Sequence, residues 1–424
     1  MYTIAGKVKN LVDEGFFHIL IGNTLNKMIA FISSIVIVRL VEKAQYGYLA
    51  YADNLYAYVN LFAGLGLSSA ILKYCGKNKS TEENRYFLGI ALKYGPLVQM
   101  VLSLPVIVYV SFFNSPFPKA RSLVYLLFLY PFLVQIMTTT QNYLRSQLQN
   151  KLFAKIGIAQ SMIVFLFSII LTVKLGVSGV VVARYIALAA SIGFGMRFIL
   201  RRPSGQFSKV EIPLKIKKGF WAMAISLMFA NMLSMIMPLN EMFMINNLIK
   251  NELVTASYKV AILIPSQILF VVDSIIIYMF PRIAQMSEDG GVVFSTILKF
   301  SLMNAGIIFC IMLIGIVFNP FIIQVIYGSN YKDAIPLSLI FWIVNGLNAG
   351  FRMIPMNMLP ALGVTTVNVL ISVVSSIVHI VLSYLFISNM GIKGAAYAVL
   401  IVYLLSGTVY WGYLNHICRN KEEK

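Results

Sequence analysis

Apolar runs long enough to cross a lipid bilayer recur along almost the whole chain, and short polar segments separate them. Each run is continuous rather than alternating, which is typical of membrane helices, since the strands of a membrane barrel alternate and span only about ten residues. The pattern predicts an all-α integral membrane protein of twelve transmembrane helices. The predicted spans lie near residues 15–38, 47–72, 86–113, 121–141, 153–173, 177–200, 219–248, 254–280, 293–318, 334–356, 363–387 and 392–414.

Composition supports this class of protein and excludes a soluble fold. Hydrophobic residues make up 59% of the 424 residues and charged residues only 12%, whereas an average soluble domain is roughly a quarter charged. The net charge of +19 does not indicate nucleic-acid binding, because the Lys and Arg residues lie mostly between the apolar runs. Most of them lie in the segments on one side of the predicted membrane, so both termini are expected to face the cytoplasm of a bacterial inner membrane.

The chain is expected to consist of two related halves. The most basic connection, residues 197–218, lies at the midpoint and separates a predicted N-terminal lobe, 1–212, from a C-terminal lobe, 213–424. Residues 176–183 (GVSGVVVA) match residues 391–398 (GIKGAAYA) at an offset of 215 positions, and Asn142 matches Asn357 at the same offset. Because six spans separate the matching segments, the halves are predicted to be parallel, pseudo-symmetric six-helix bundles.

Motifs of soluble enzymes and of metal sites are missing from the sequence. It contains no GxxxxGK[ST] phosphate loop, no GxSxG elbow and no HExxH pair, and its three histidines and three cysteines are scattered. The connecting segments are short, which leaves little room for a catalytic domain. The sequence therefore predicts transport rather than enzymatic activity, without a bound cofactor.

Ionisable residues within the predicted spans are the candidate functional residues, because a charge at the centre of a bilayer costs at least ~2.5 kcal/mol and usually faces a cavity or a partner. Lys27 lies near the middle of the first span, beyond the reach of snorkelling. Asp273 lies deep in the eighth span and could exchange a proton or remain a neutral, hydrogen-bonded acid.

Other polar and helix-bending residues allow a structural and a functional interpretation. Four charged residues lie in the outer halves of their spans, where snorkelling to the membrane surface is as good an explanation as function; they are Asp53, Arg184, Glu241 and Lys259. Of these, Glu241 and Lys259 could pair with each other. His379 is interpreted as a packing residue. The GxxxG segment 346–350 predicts a close helix contact, and Pro238 and Pro265 predict kinks.

Three segments resemble the polysaccharide-export branch of the MOP superfamily, and most closely the Wzx-type flippases of O-antigen and other repeat units. They are Arg39-Leu-Val-Glu-Lys-Ala-Gln-Tyr-Gly47, Gly64-Leu-Gly-Leu-Ser-Ser-Ala70 and Asn389-Met-Gly-Ile-Lys-Gly-Ala-Ala-Tyr-Ala398. The resemblance implies a V-shaped pair of six-helix lobes. It further implies alternating access, which carries an undecaprenyl-diphosphate-linked oligosaccharide to the periplasmic leaflet for O-antigen or another surface polysaccharide.

Such a substrate suggests roles for the candidate residues. A diphosphate requires cations, which Lys27, Arg184 and Lys259 could supply, whereas Asp53, Glu241 and Asp273 are candidates for ion coupling or gating with H⁺ or Na⁺. Partners expected from this interpretation are the lipid-linked substrate, membrane lipids and a polysaccharide polymerase with its chain-length machinery. The alternatives are a MATE-type exporter of cations or drugs and a flippase of another lipid-linked glycan.

Overall fold

The computed structural model describes residues 16–76, 79–113, 115–200, 212–286 and 290–422. Every regular element within these ranges is helical, as the continuous apolar runs predict, because a helix satisfies its backbone hydrogen bonds within the segment. The chain divides into two compact units, which we call unit 1 and unit 2 and which meet in the sequence at Met232 and Leu233.

This boundary falls twenty residues after residue 212, where the sequence places it. The difference arises from the helix that follows the basic linker. Its residues Phe220 and Ala224 are fully buried in a cluster with Leu67 and Phe87 of the second and third predicted spans. The first turns of the seventh predicted span therefore belong to the core of unit 1.

Unit 1 contains the helices of the first six predicted spans and the beginning of the seventh. The α-helices described there are α1 (Phe16–Leu40), α2 (Lys43–Leu61), α3 (Leu67–Tyr74), α4 (Thr81–Phe112), α5 (Arg121–Leu126), α6 (Tyr130–Ser146), α7 (Asn150–Leu175), α8 (Val177–Leu200) and α9 (Leu214–Ile249), which continues into unit 2.

The second span of unit 1 is broken between α2 and α3. Four consecutive residues, from Ala63 to Gly66, have left-handed backbone angles, with φ between 42° and 71°. This conformation favours glycine, and two of the four residues, Gly64 and Gly66, are glycines. The backbone carbonyl of Leu61 at the end of α2 accepts a hydrogen bond of 3.0 Å from Nδ2 of Asn231, which supplies an internal partner as a polar group at membrane depth requires.

Unit 2 contains the remaining helices. Those described after α9 are α10 (Glu252–Leu263), α11 (Leu269–Gln285), α12 (Gly290–Tyr327), α13 (Ile335–Leu347), α14 (Met353–Ala361), α15 (Thr365–Met390) and α16 (Ile392–Glu422). A 3₁₀ turn that begins at Pro265 separates α10 from α11, and a π-helical turn, Asn348–Arg352, joins α13 to α14. Pro265 begins this 3₁₀ turn, and the kink predicted there stays a prediction.

The α9 helix is bent by 48° between Leu233 and Met235. Pro238 lies four residues after the centre of this bend, and a proline lacks the N–H that would bond to the carbonyl four residues earlier. The predicted kink near Pro238 is therefore confirmed, and its position follows from the missing hydrogen bond.

The repeat predicted from the sequence is visible as the same turn in each unit. Gly176 ends α7 with φ 58° and ψ −144°, and Gly391 ends α15 with φ 63° and ψ −145°. Three residues after each of these glycines, Gly179 and Gly394 press against the backbone of the preceding helix so closely that neither position has room for a Cβ atom. The matching motifs therefore form matching helical hairpins.

Among the described residues, ten helices are long and apolar enough to cross a membrane. The bent α9 makes eleven if its two parts are taken as a single span. The α1 helix follows most of the first predicted span, but residues 1–15 lie outside the described residues, as do the side chains of residues 16–23, His18 among them. The remaining predicted spans each coincide with a helix or a broken helix to within several residues.

Close packing within unit 2 occurs where the GxxxG segment predicts it. A Cβ atom at Gly346 would lie 2.5 Å from Sδ of Met312 on α12, and one at Gly350 would contact Ile308 at 3.5 Å. Asn304 of α12 also donates a hydrogen bond of 2.8 Å to the carbonyl of Ala349. The predicted close helix contact is therefore confirmed, and it joins α12 to the end of the tenth span.

Candidate functional site

Unit 1 contains an open polar cavity of about 360 Å³ whose lining comes from α1, α6, α7 and α8. Most of the lining residues are polar and carry an amide, a hydroxyl or, in one case, a guanidinium group; the polar ones are Asn26, Ser33, Ser34, Gln141, Gln160, Ser161 and Arg184. Small residues make the close approach of the helices possible. A Cβ atom at Gly157 of α7 would lie 2.5 Å from Nδ2 of Asn26, so a larger residue there would displace the α1 asparagine.

Arg184 and Asp53 form a bidentate ion pair at the edge of this cavity. Nη1 of Arg184 donates to Oδ1 of Asp53 at 2.6 Å, and Nη2 donates to Oδ2 at 3.0 Å. The guanidinium also lies 5.8 Å from the ring centroid of Tyr130. The structure thus brings together one residue predicted to bind a diphosphate and one predicted to couple an ion, and the fork geometry of arginine suits a carboxylate.

Lys27 is exposed on α1, one residue after the cavity-lining Asn26. Asn26 accepts a hydrogen bond of 3.3 Å from Ser161 of α7 and so fixes α1 against that helix. Since successive helix residues point about 100° apart, Lys27 lies beside the α7-facing side of α1 rather than on it. The structure therefore places this predicted cation near the cavity without making it a lining residue.

Unit 2 contains a buried carboxyl group in α9, that of Glu241. Its side chain is 3% exposed and accepts a hydrogen bond from the phenol of Tyr258 in α10. The Oε1 atom has no hydrogen-bond partner among the described residues. Glu241 lines a cavity of about 40 Å³ together with Asn345, His379 and Tyr403, a volume that admits about one to three water molecules.

Arg352 is a second buried charge in unit 2, and sequence analysis did not single it out. It lies in the π-helical turn, is 8% exposed, and donates from Nε to Ser406 at 2.8 Å and from Nη1 to Asn348 at 3.1 Å. Its guanidinium carbon is 4.8 Å from the ring centroid of Tyr403. Tyr403 and Glu241 line the same cavity, so Arg352 lies beside one wall of it.

The other predicted residues of unit 2 occupy separate positions. Lys259 of α10 and Asp273 of α11 are both half-buried, and neither lines the cavity beside Glu241. His379 is fully buried in α15 and forms a hydrogen bond of 3.1 Å with Ser383 one turn later. The structure therefore gathers Glu241 and His379 at one cavity and does not bring Lys259 or Asp273 to it.

Several lining residues escape sequence analysis because they are uncharged. Asn26, Gln141 and Gln160 lie in three different helices, and polar amides in apolar runs are common enough to go unremarked. Arg352 escaped for another reason, since it lies near the end of a predicted span and counts as a loop charge. A usable signal was the polar spacing of Asn345, Asn348 and Arg352, which recur every three to four residues and so share a helix face.

The fold and these two polar sites describe a polytopic membrane protein. Its structure is similar to that of an inward-facing multidrug-resistance MATE transporter of the MOP superfamily, with a TM-score of 0.73, 14% identity and coverage of 95% of this chain and 96% of the other. It is also similar to the lipid II flippase MurJ in an inward closed conformation, with a TM-score of 0.72, 15% identity and coverage of 93% and 86%. A third similar structure is a MOP superfamily transporter from Pyrococcus furiosus with a binding pocket described as reversed in polarity, with a TM-score of 0.61, 13% identity and coverage of 98% and 97%.

The sequence itself gives the family. Residues 36–336 match the family described as polysaccharide biosynthesis protein. A comparison with curated protein sequences finds no match. The chain belongs to the polysaccharide biosynthesis protein family, and its fold is similar to that of the MATE transporter and of the lipid II flippase.

Proposed function

We propose that this protein is a flippase that carries undecaprenyl-diphosphate-linked oligosaccharide repeat units from the cytoplasmic to the periplasmic leaflet, for O-antigen or another surface polysaccharide. The observation that carries the proposal is the family match over residues 36–336, whose members are described by polysaccharide biosynthesis. The fold shared with a lipid flippase and with exporters supports movement of the substrate across the membrane by alternating access.

The proposed roles of the charged residues follow the chemistry of the two ends of the substrate. A diphosphate needs cations, and the ammonium groups of Lys27 on α1 and of Lys259 on α10 are each a candidate. Arg184 supplies a guanidinium, but one that Asp53 already occupies through both Nη atoms, so an anion would have to compete with that carboxylate. We therefore keep Lys27 and Lys259 as separate candidate cations for the diphosphate and assign Arg184 to the wall of the unit 1 cavity.

Direction of transport requires an energy source, and we propose coupling to an H⁺ or Na⁺ gradient through buried acids. Glu241 is the best placed of the three candidates, because its carboxyl is buried and one of its oxygens has no hydrogen-bond partner among the described residues. Asp53 is held by Arg184 and suits a gate that opens when the pair separates. Asp273 remains a candidate on α11. Both termini are proposed to face the cytoplasm of a bacterial inner membrane, with a polysaccharide polymerase and its chain-length machinery as partners.

The test is deletion of the gene followed by analysis of the membrane lipids and of the surface glycan. We expect diphosphate-linked repeat units to accumulate in the cytoplasmic leaflet, where a periplasmic glycosidase added to intact spheroplasts cannot reach them. Complementation with Lys27→Ala should fail, whereas Lys174→Ala, an exposed lysine at the end of α7, should restore the glycan.

Two outcomes would contradict the proposal. Retained glycan with accumulation of an organic cation in the cells would instead indicate export of the MATE type. Loss of polymer with repeat units already accessible in the periplasm would indicate a role in polymerisation.

A further inference from the structure

The polar cavity of unit 1 has a lining that matches sugar better than phosphate. Its uncharged polar groups are three side-chain amides and three hydroxyls, from Asn26, Gln141, Gln160, Ser33, Ser34 and Ser161. Amides and hydroxyls both donate and accept hydrogen bonds, and so do the hydroxyl and acetamido groups of sugars. An anion, in contrast, presents acceptors only and requires donors that carry a compensating positive charge.

Part of this lining lacks partners within the protein. Ser33 is 5% exposed, and its hydroxyl has no hydrogen-bond partner among the described residues. The side-chain amides of Gln141 and Gln160, from α6 and α7, likewise form no hydrogen bond with another described side chain or backbone group. Leaving a buried polar group unsatisfied costs about 1–3 kcal/mol, which applies to the Ser33 hydroxyl. The two glutamines are half-buried, and their amides are available to a molecule that enters the cavity.

The depth of these groups strengthens the argument. Gln160 lies ten residues after Asn150, where α7 begins, which corresponds to about 15 Å along the helix. At that depth lipid offers no hydrogen bonds, and polar side chains usually face the protein interior or a water-filled cavity. Ser33, Gln141 and Gln160 come from three helices and line one cavity, so their polar groups converge on the same space.

The charge of the cavity selects a neutral ligand. Arg184 is the one charged residue among those that line it, and both of its Nη atoms are engaged by the two carboxylate oxygens of Asp53. The net charge of the pair is zero, and the guanidinium is held against the wall of the cavity by the carboxylate and by Tyr130. A diphosphate would find no available cation among these lining residues, whereas a sugar needs none.

The size of the cavity suits a sugar ring. Its volume of about 360 Å³ lies at the lower end of the range of about 300–1,000 Å³ that small-molecule sites occupy. One side is closed by the contact between Gly157 and Asn26, where no Cβ atom fits without displacing the asparagine. The space therefore accommodates one or two sugar rings.

From these observations we propose that the unit 1 cavity binds a neutral sugar residue of the lipid-linked oligosaccharide through Gln141, Gln160 and Ser33, separately from the cations that hold the diphosphate. This assignment rests on the proposed flippase function and specifies which part of the substrate unit 1 recognises.

The test measures binding of two probes to the purified full-length protein in lipid nanodiscs. One probe is undecaprenyl diphosphate, and the other is the same lipid carrying a single N-acetylglucosamine. The wild type should bind the glycosylated probe more tightly than the bare diphosphate. Gln160→Ala and Gln141→Ala should each weaken binding of the glycosylated probe by about ten-fold, equivalent to about 1.4 kcal/mol, and leave binding of undecaprenyl diphosphate unchanged.

Gln324→Ala is the matched control, because this glutamine is exposed on α12 in unit 2 and lines neither cavity. Thermal unfolding of each variant shows that it is folded, and the two glutamines on separate helices give independent tests. Gln160→Glu adds a second distinction, since a negative charge would repel a diphosphate in the cavity and weaken both probes together, whereas a sugar hydroxyl can still donate to a carboxylate.

Three results would overturn the assignment. Equal weakening of both probes by the alanine variants would mean that the cavity holds the diphosphate. Unchanged binding of the glycosylated probe by both variants would mean that the cavity holds water only. In either case the lipid still binds and the proposed flippase function survives, whereas failure of the wild type to bind either lipid would overturn both proposals.

Discussion

Arg184 and Asp53 join α8 to α2 inside unit 1 through two parallel hydrogen bonds, of 2.6 Å and 3.0 Å. The two side chains remain 20% and 34% exposed. Because each charge compensates the other, neither residue is independent. A variant at one position therefore also tests the other.

We expect Asp53→Asn and Arg184→Gln each to lower the stability of the protein, and the double variant to lose less than the sum. Removing one partner of a fully buried pair costs about 3–5 kcal/mol, and because these side chains are partly exposed we expect about half of that. Thermal unfolding of the purified protein in detergent measures the effect, with Lys174→Gln as a control for removal of an exposed charge. Losses that simply add would mean that the pair contributes no coupling.

The matching turns at Gly176 and Gly391 predict matching costs of substitution. Both residues have positive φ with ψ near −145°, a region that essentially only glycine adopts, at a cost of about 1–3 kcal/mol for other residues. Gly176→Ala and Gly391→Ala should therefore lower the midpoint of thermal unfolding by similar amounts. Gly193→Ala is the control, since that glycine lies in α8 with no atom within 4 Å of its Cβ position and alanine favours a helix. A large loss at one turn and none at the other would contradict the structural repeat.

The broken second span makes a sharper distinction between two neighbouring glycines. A Cβ atom at Gly66 would press against the backbone carbonyl of Ala224, whereas one at Gly64 would press mainly against the side chain of Gln135. Both glycines have positive φ. A side chain can rotate away but a helix backbone cannot, so Gly66→Ala should reduce the yield of folded protein more than Gly64→Ala.

Gly89→Ala serves as the reference for this pair, because Gly89 is exposed on α4 with nothing near its Cβ position. The yield of monodisperse protein after size exclusion and the midpoint of thermal unfolding are the two measurements. Equal behaviour of Gly66→Ala and Gly89→Ala would show that the left-handed turn between α2 and α3 is not required for folding.

Patterns that depend on neighbours along the chain could be predicted from the sequence. Apolar runs give the helices, and the octets that begin at Gly176 and Gly391 give the repeat, because these features follow from local spacing alone. The kink near Pro238 and the 3₁₀ turn at Pro265 could be predicted for the same reason, since a proline disturbs its own helix.

Relationships between distant segments could not be predicted in this way. Asp53 and Arg184 are 131 residues apart, and nothing local to either residue indicates that they form a pair. The cavity of unit 1 is assembled from uncharged side chains on three helices, with Arg184 from a fourth, and each uncharged side chain is unremarkable in its own apolar run. The division of the units at Met232 and Leu233 has a similar origin, because the burial of Phe220 against Phe87 is a tertiary contact that a count of spans does not contain.

Glu241 offers the clearest separation of a structural role from a functional one. Its carboxyl is buried, receives one hydrogen bond from Tyr258, and leaves Oε1 without a partner among the described residues. Gln has the same shape and can still accept from Tyr258, so Glu241→Gln should keep the stability within about 1 kcal/mol, the size of one ordinary hydrogen bond.

If the carboxyl exchanges the coupling ion, the same variant should lose the dependence of lipid flipping on an imposed H⁺ or Na⁺ gradient in proteoliposomes. Glu82→Gln, in the first turn of α4, should keep that dependence. A Glu241→Gln protein that is stable and still responds to both gradients would remove this residue from the coupling mechanism, whereas one that fails to fold would assign it a structural role, because the loss would then precede any transport.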